Sequence, residues 1–214
     1  MAKDTANELR IVGTRPDRPD GLDKVTGRAR YGADISAAGL LHGAVVRSPH
    51  AHARIVKIDA SKALALSGVK AVVTRDDFPT GLTGEAWDLQ ENTMAGERAL
   101  YDGHAVAAVA ATSAQLARDA AKLIEVEYEI LPHVTDVDAA MAPDAPIIRE
   151  GAADHSVPDG LHPNVVRYIE FGHGDLEDGF AQADIVREHQ YKTEAAHQGY
   201  IEPHACMGQM GADG

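Results

Sequence analysis

The chain has 214 residues, of which 44% are hydrophobic and 25% charged, and its formal net charge is −13. That length and apolar content suit one large or two modest folded domains and exclude a disordered chain. The acidic balance excludes non-specific binding to nucleic acid or anionic lipid, both of which need a positive field.

The chain opens on residues 1–26, which read as an N-terminal arm. Its first ten residues hold no apolar run and no cleavage pattern, so a signal peptide is excluded. Arg15-Pro-Asp-Arg-Pro-Asp-Gly21 has the composition of an extended surface segment rather than a packed element.

Residues 27–140 read as a compact α+β domain. Leu40–Arg47 and Ala53–Asp59 are expected strands joined by the turn Ser48-Pro-His-Ala51. Asp59 is placed to cap a short helix over Ala60–Leu66, which Gly68 ends. Val69–Thr74 is a third strand, and Thr80–Arg98, with the only tryptophan, Trp87, is less regular. His104–Ala111 reads as a buried strand after the turn Tyr101-Asp-Gly103, although its alanines also suit a helix. Ser113 is an N-cap for Ala114–Leu123, with Leu116, Ala120 and Leu123 on one face. Ile124–Ile130 alternates apolar and acidic residues, the pattern of a half-exposed strand. Strand, helix, strand in that order predicts a right-handed crossover.

Residues 141–164 carry Pro143, Pro146, Pro158 and Pro163 among polar residues, the composition of a linker. From residue 165 a second unit is expected, with strands at Val165–Phe171, Asp184–Lys192 and Tyr200–Met207 and a helix capped by Asp175. Three strands and one helix are too few to bury an apolar face alone. Val165, Ile169 and Phe171 are therefore expected on an exposed face. The closing Gly211-Ala-Asp-Gly214 has a turn composition and suggests a loop leading to a further strand. The one cysteine, Cys206, cannot form a disulfide framework within the chain, which fits a reducing, cytoplasmic setting. In its apolar segment it is expected to be a buried, inert thiol. No apolar run is long enough to cross a membrane as a helix.

Candidate chemistry is sparse. His50 and His52 share a face on an extended segment, as a metal pair would, yet no other ligand clusters near them, and a hydrogen-bonded turn is the expected role. Gly172-His-Gly174-Asp175 lacks the third glycine of a dinucleotide fingerprint and the lysine of a phosphate loop, so it reads as a turn and N-cap. No Gly-x-Ser-x-Gly or His-Glu-x-x-His occurs. The motifs alone assign no catalytic residue and no metal ligand in this chain.

Five stretches, in order, resemble the molybdenum hydroxylases of the xanthine dehydrogenase and aldehyde oxidase family. Gly21–Ile35 looks like the entry to their α/β hammerhead domain, and Leu41–Ile55 like that domain's first long hairpin. Tyr101–Ala111 with Val126–Pro132 is similar to its later strands. Gly172–Asp175 with Phe180–Asp184 resembles the approach to the first cofactor-binding domain. Ala195-Ala-His-Gln-Gly-Tyr-Ile-Glu-Pro-His204 resembles the opening of the molybdenum-cofactor region.

The resemblance implies an α/β hammerhead domain followed by the first, incomplete part of a molybdopterin-binding domain at 165–214. It also implies a molybdenum-pterin cofactor in the complete subunit and hydroxylation of a carbon centre with oxygen from water. Electrons would pass to [2Fe–2S] clusters and FAD on partner subunits, because this chain has neither a cluster's cysteines nor a flavin fingerprint. The family's glycine-rich cofactor loop and glutamate base have no match here, so the isolated chain is expected to be inactive. Several members also place a molybdenum-contacting glutamine where this chain has Ala196. Gln198, two residues on and on the same face of a strand, is the candidate substitute, with a structural role as the competing reading. Glu202 is expected to be a structural carboxylate at the domain junction. The alternative to an enzyme subunit is a non-catalytic hammerhead scaffold that binds partners.

Overall fold

The computed structural model describes residues 11–150 and 157–211. Its first element is a short helix, α1 (Gly21–Val25). Asp20 precedes it and pairs with Arg18 at 2.6 Å and with Lys24 at 2.7 Å. These two cations hold the Asp20 carboxyl well below the usual carboxylate range. The described part of the arm is thus not wholly extended: an acid at the helix start with a cation four residues on favours one turn. Residues 1–10 lie outside the described residues.

The chain divides into two units, one of Gly39–Glu188 and one of residues 11–38 with 189–211. In the larger unit the elements follow in the order β1 (His42–Arg47), β2 (Ala53–Asp59), α2 (Ser61–Leu64), β3 (Val69–Val73), α3 (Gly84–Thr93), β4 (Arg98–Ala99), β5 (Ala105–Ala111), α4 (Ala114–Ala121), β6 (Glu125–Ile130), α5 (Val137–Ala140) and α6 (Leu176–Ala181). The strands form two three-stranded sheets, ordered β1-β5-β3 and β4-β2-β6, and every pairing is antiparallel.

This topology corrects two expectations. β1 and β2 do not form a hairpin: β1 pairs with β5, and β2 pairs with β6 and β4. Nor is β5-α4-β6 a crossover, because its strands lie in different sheets. The cause is at the turn. Ser48 and His52 are buried, the Ser48 N–H donates to His104 O, and Leu131 N–H donates to His52 O. These bonds fasten each end of the turn to a different strand's flank, so the chain leaves one sheet and enters the other.

β5 is a strand, and its alanines explain the packing. Both neighbours bond to it, and a ladder on each side outweighs alanine's preference for helix. Its small side chains let a helix approach closely. The core joins Ala107 and Val109 of β5 to Ala63 of α2, Ala120 of α4 and Ile124, with Val46, Leu66 and Val72 packed around them. Ser113 caps α4, its Oγ accepting from Leu116 N–H at 3.2 Å. The buried face of α4 is Ala117 with Ala120, while Leu116 is half-buried and Leu123 exposed. The expected stripe is thus turned by one residue, because alanine rather than leucine fits against β5. β6 alternates as its sequence requires, with Glu125, Glu127 and Glu129 all exposed.

Beyond β6 the chain departs further from expectation. The stretch around Trp87 is helical over Gly84–Thr93. The segments 165–171, 184–192 and 200–207 form no strand among the described residues, for none of them is joined to a neighbour by a backbone ladder. Of the three residues expected on an exposed face, Phe171 is 92% exposed and Ile169 also stands exposed, whereas Val165 is half-buried. Of the proline-rich 141–164, residues 151–156 lie outside the described residues; the remainder is anchored rather than free. The Asn164 side chain accepts from Ile148 N–H at 3.0 Å and donates to Ala140 O at 2.9 Å and Pro146 O at 3.0 Å.

Candidate functional site

Gln198, the candidate cofactor contact, is exposed and outside any strand. It lies in an irregular segment: Gly199 has φ +64°, and its N–H donates to His197 Nδ1 at 3.1 Å. The left-handed backbone at Gly199 breaks the extended alternation, so the facing of Ala196 and Gln198 does not project onto Tyr200. Ala196 and Glu202 are also exposed, and Glu202 makes no hydrogen bond or ion pair among the described residues. That corrects its reading as a satisfied junction carboxylate. Cys206 is exposed as well, against the expectation of burial, because no strand covers its segment. Nearby, the Tyr200 ring stacks on His204 with centroids 4.3 Å apart. In the same unit Gly32 lies against Ala205, where an added Cβ would approach Ala205 Cβ to 3.2 Å.

These residues do not by themselves fit a molybdenum-pterin cofactor. A pterin dinucleotide needs a cradle of donors around its phosphate and ring atoms. This unit offers the exposed Gln198 amide and a pocket of about 270 Å³ lined by Arg30, Tyr31, Gly32, Ile35 and Ser36. No group of three or more metal-ligating side chains occurs among the described residues.

Three histidines of the larger unit, His50, His52 and His104, have structural partners. His52 is buried and its Nδ1–H donates to Pro132 O at 2.7 Å. His50 meets Tyr128 edge-on at 5.0 Å, and its backbone N–H donates to Ser48 Oγ. This is the hydrogen-bonded turn that the sequence suggests. Burial raises the Tyr128 phenol's pKa, with the Ser48 hydroxyl opposing the shift. His104 is fully buried; its Nδ1 accepts from Leu100 N–H at 3.2 Å, so Nε2 carries the proton and donates to Glu91 O at 2.8 Å. Burial pushes the His104 pKa down, and the neutral ring is the form both bonds require. Gly172–Asp175 is likewise a turn and cap: Gly174 has φ +82°, and Asp175 Oδ1 accepts from Asp178 N–H at 3.0 Å.

A feature that motif reading missed is a cleft of about 740 Å³ in the larger unit. β2 forms one wall along Ile55–Ile58, beyond the short stretch where β4 pairs with it. α3 supplies Trp87 and Glu91, and residues 148–150 close another side. Three arginines line it, Arg75, Arg98 and Arg149. Arg75 Nη2 donates to Glu91 Oε1 at 3.1 Å, and Arg149 Nη1 donates to Asp88 Oδ1 at 2.5 Å. The Arg149 guanidinium also lies 4.6 Å from the centroid of the Trp87 ring. The lone tryptophan was the available signal, since such a residue in a polar stretch requires a packing partner.

Similarity to known proteins follows the same order along the chain. The family model for the aldehyde oxidase and xanthine dehydrogenase a/b hammerhead domain matches residues 26–132, and that for the molybdopterin cofactor-binding domain matches residues 157–214. The carbon monoxide dehydrogenase large chain of Afipia carboxidovorans is 37% identical over 213 residues, covering 96% of this chain and 26% of that one. A probable hypoxanthine oxidase of Escherichia coli is 33% identical over 239 residues, covering 97% and 25%. The aldehyde oxidoreductase of Desulfovibrio gigas superposes with a TM-score of 0.57 at 32% identity, over 78% of this chain and 19% of that structure. The chain therefore spans about a quarter of the length of the curated relatives it matches. No helix among the described residues is long and apolar enough to cross a membrane. With a hammerhead domain match followed by a cofactor-domain match, carried on antiparallel sheets that superpose on a solved relative, this chain belongs to the aldehyde oxidase and xanthine dehydrogenase family.

Proposed function

We propose that the chain is the N-terminal part of the molybdenum-binding subunit of an oxidoreductase that hydroxylates a carbon centre, of the N-heterocycle or aldehyde type. The observation that carries this reading is the order of the two family matches, hammerhead at 26–132 and molybdopterin-binding at 157–214. On this reading residues 27–140 are the hammerhead domain, 141–164 the connection and 165–214 the first part of the cofactor domain. The complete subunit holds the molybdenum-pterin cofactor, works in the cytoplasm and passes electrons to [2Fe–2S] and FAD subunits. Gln198 contributes one amide to the cofactor's surroundings. The exposure of Phe171, Tyr191 and Ile201 supports the reading, since large apolar side chains left in water mark a surface that another part of the assembly covers.

The experiment is to purify the 214-residue chain alone and co-expressed with the product of the coding sequence that follows it, then to measure molybdenum and dye reduction with aldehydes and purines. The expected result is no metal and no turnover for the chain alone, and a stable molybdenum-containing complex on co-expression. In that complex Gln198→Ala lowers the molybdenum content. Stoichiometric molybdenum with turnover in the isolated chain would overturn the reading. A downstream sequence without a cofactor loop and glutamate would favour the scaffold instead.

A further inference from the structure

The cleft of the larger unit contains a guanidinium edge with no use inside the fold. Arg149 commits Nη1 to Asp88 at 2.5 Å and rests its plane over Trp87 at 4.6 Å. Its two remaining donor positions, Nε and Nη2, are buried and have no hydrogen-bond partner. Those two N–H groups lie side by side on one edge of the guanidinium and form a planar fork that matches the two oxygens of a carboxylate. Asp88 and Trp87 fix the guanidinium from one side and from below, and because Nε and Nη2 have almost no exposed surface, a ligand reaches them when neighbouring side chains of the lining move aside. Arg75, on the same lining, also has a buried Nε without a partner.

The charge of the lining narrows the ligand. Carboxylates and cations are equal in number there, and Arg75 and Arg98 already face Glu91 and Glu150. A dianion such as phosphate would meet these acids without a compensating surplus of cations, whereas a single negative charge needs only the Arg149 fork. The rest of the wall is apolar where Ile55, Ile58, Leu100 and Ile148 line it. We infer that the cleft is a binding site for a monocarboxylate with an apolar body, its carboxylate held bidentate by Arg149 Nε and Nη2. This does not rest on the molybdenum reading, because every residue named in the site lies between 55 and 150, outside the molybdopterin-binding match.

Trp87 is the only tryptophan in the chain and stacks on the binding residue, so its fluorescence reports the site directly. The full chain is titrated at constant ionic strength with cyclohexanecarboxylate, with its neutral isostere cyclohexanecarboxamide, and with a capped glutamate tripeptide. The expected result is a saturable change with the carboxylate and none with the carboxamide. Arg149→Lys keeps the charge but loses the fork, and weakens the carboxylate about tenfold or more. Tighter binding of the tripeptide assigns the site to a protein side chain, and tighter binding of the free acid to a small molecule; both sustain the site. No saturable change, an equal response to the carboxamide, or an unchanged titration in folded Arg149→Lys would overturn it. Should that variant fail to fold, the paired wild-type titrations decide alone.

Discussion

Replacing Gly68 with alanine tests how closely α4 and β3 are fitted. Gly68 has φ +96°, a conformation that L side chains rarely adopt, and holding one there costs about 1–3 kcal/mol. The added Cβ would also stand 2.7 Å from Leu116 Cδ2 and 2.8 Å from Thr112 Oγ1. Leu116 ends in a flexible branch and can swing aside. Thr112 is stiff at χ1, and its N–H donates to Gly68 O at 3.0 Å, so it cannot retreat without losing that bond. Crowding of this kind costs about 1–3 kcal/mol. Reduced freedom in the unfolded chain offsets about 0.4–1 kcal/mol. The net expectation is a loss of about 3 kcal/mol, a large share of a domain's total stability. With a urea slope of about 1–3 kcal/mol/M, the midpoint falls by about 1–3 M at unchanged slope. Adding Thr112→Ala should recover the crowding part and leave the backbone part. A midpoint shift below about 0.3 M would refute the argument, and so would complete recovery in the double variant.

Other expectations follow from single residues. His104 has a folded pKa below 6.5, so the unfolded chain takes up the proton first; stability is full above about 6.5 and is lost as pH falls through the window below it. The urea midpoint should therefore drop between pH 7 and 5, and His104→Gln should flatten that dependence; an equal slope in the variant would count against it. Ser113→Ala removes the cap of α4 and should cost about 1 kcal/mol by thermal or urea unfolding, with Ser113→Asp close to wild type. Asn164→Ala leaves the groups it bonds at Ala140, Pro146 and Ile148 unpaired; it should destabilise by about 1–3 kcal/mol and speed proteolytic cutting near 141–150, whereas an unchanged cleavage rate would show that the anchor is not needed.

Local signals in the sequence carried well, and long-range ones did not. Ser113 and Asp175 cap their helices because a cap depends only on the next three residues. The alternation of Glu125, Glu127 and Glu129 gave the exposed face of β6 for the same reason. Which strand pairs with which is not written locally. The turn at residues 48–51 looks the same whether it closes a hairpin or passes the chain to another sheet, and the deciding bonds reach to His104 and Leu131. The strands expected beyond residue 165 show the same limit, since a strand pattern becomes a strand only where a partner's backbone groups pair with it in register. The site divides likewise. The quiet roles of His50 and His52 were legible, but the cleft joins Trp87 to Arg149 across most of a domain, a distance no motif spans. The parity argument for Gln198 depended on a regular strand, and the segment is no strand and has a left-handed backbone at Gly199.

The strict alternation of strands between two sheets governs how the chain must assemble as it is made. Each successive strand, from β1 to β6, joins the sheet that its predecessor does not. No adjacent pair can nucleate a hairpin, and even the most local ladder pair, Val73 with Ala108, closes a loop containing all of α3 and β4. Both sheets wait for late strands: β1 and β3 have no partner until β5 appears, and β2 meets only two residues of β4 until β6 does. On the ribosome, β1, β2 and β3 all emerge before any of them has a partner, and the sheets are completed only when β5, α4 and β6 leave the tunnel. Such non-local pairing places folding in the slow, millisecond-to-second class and makes the stretch from β5 to β6 the step on which yield depends.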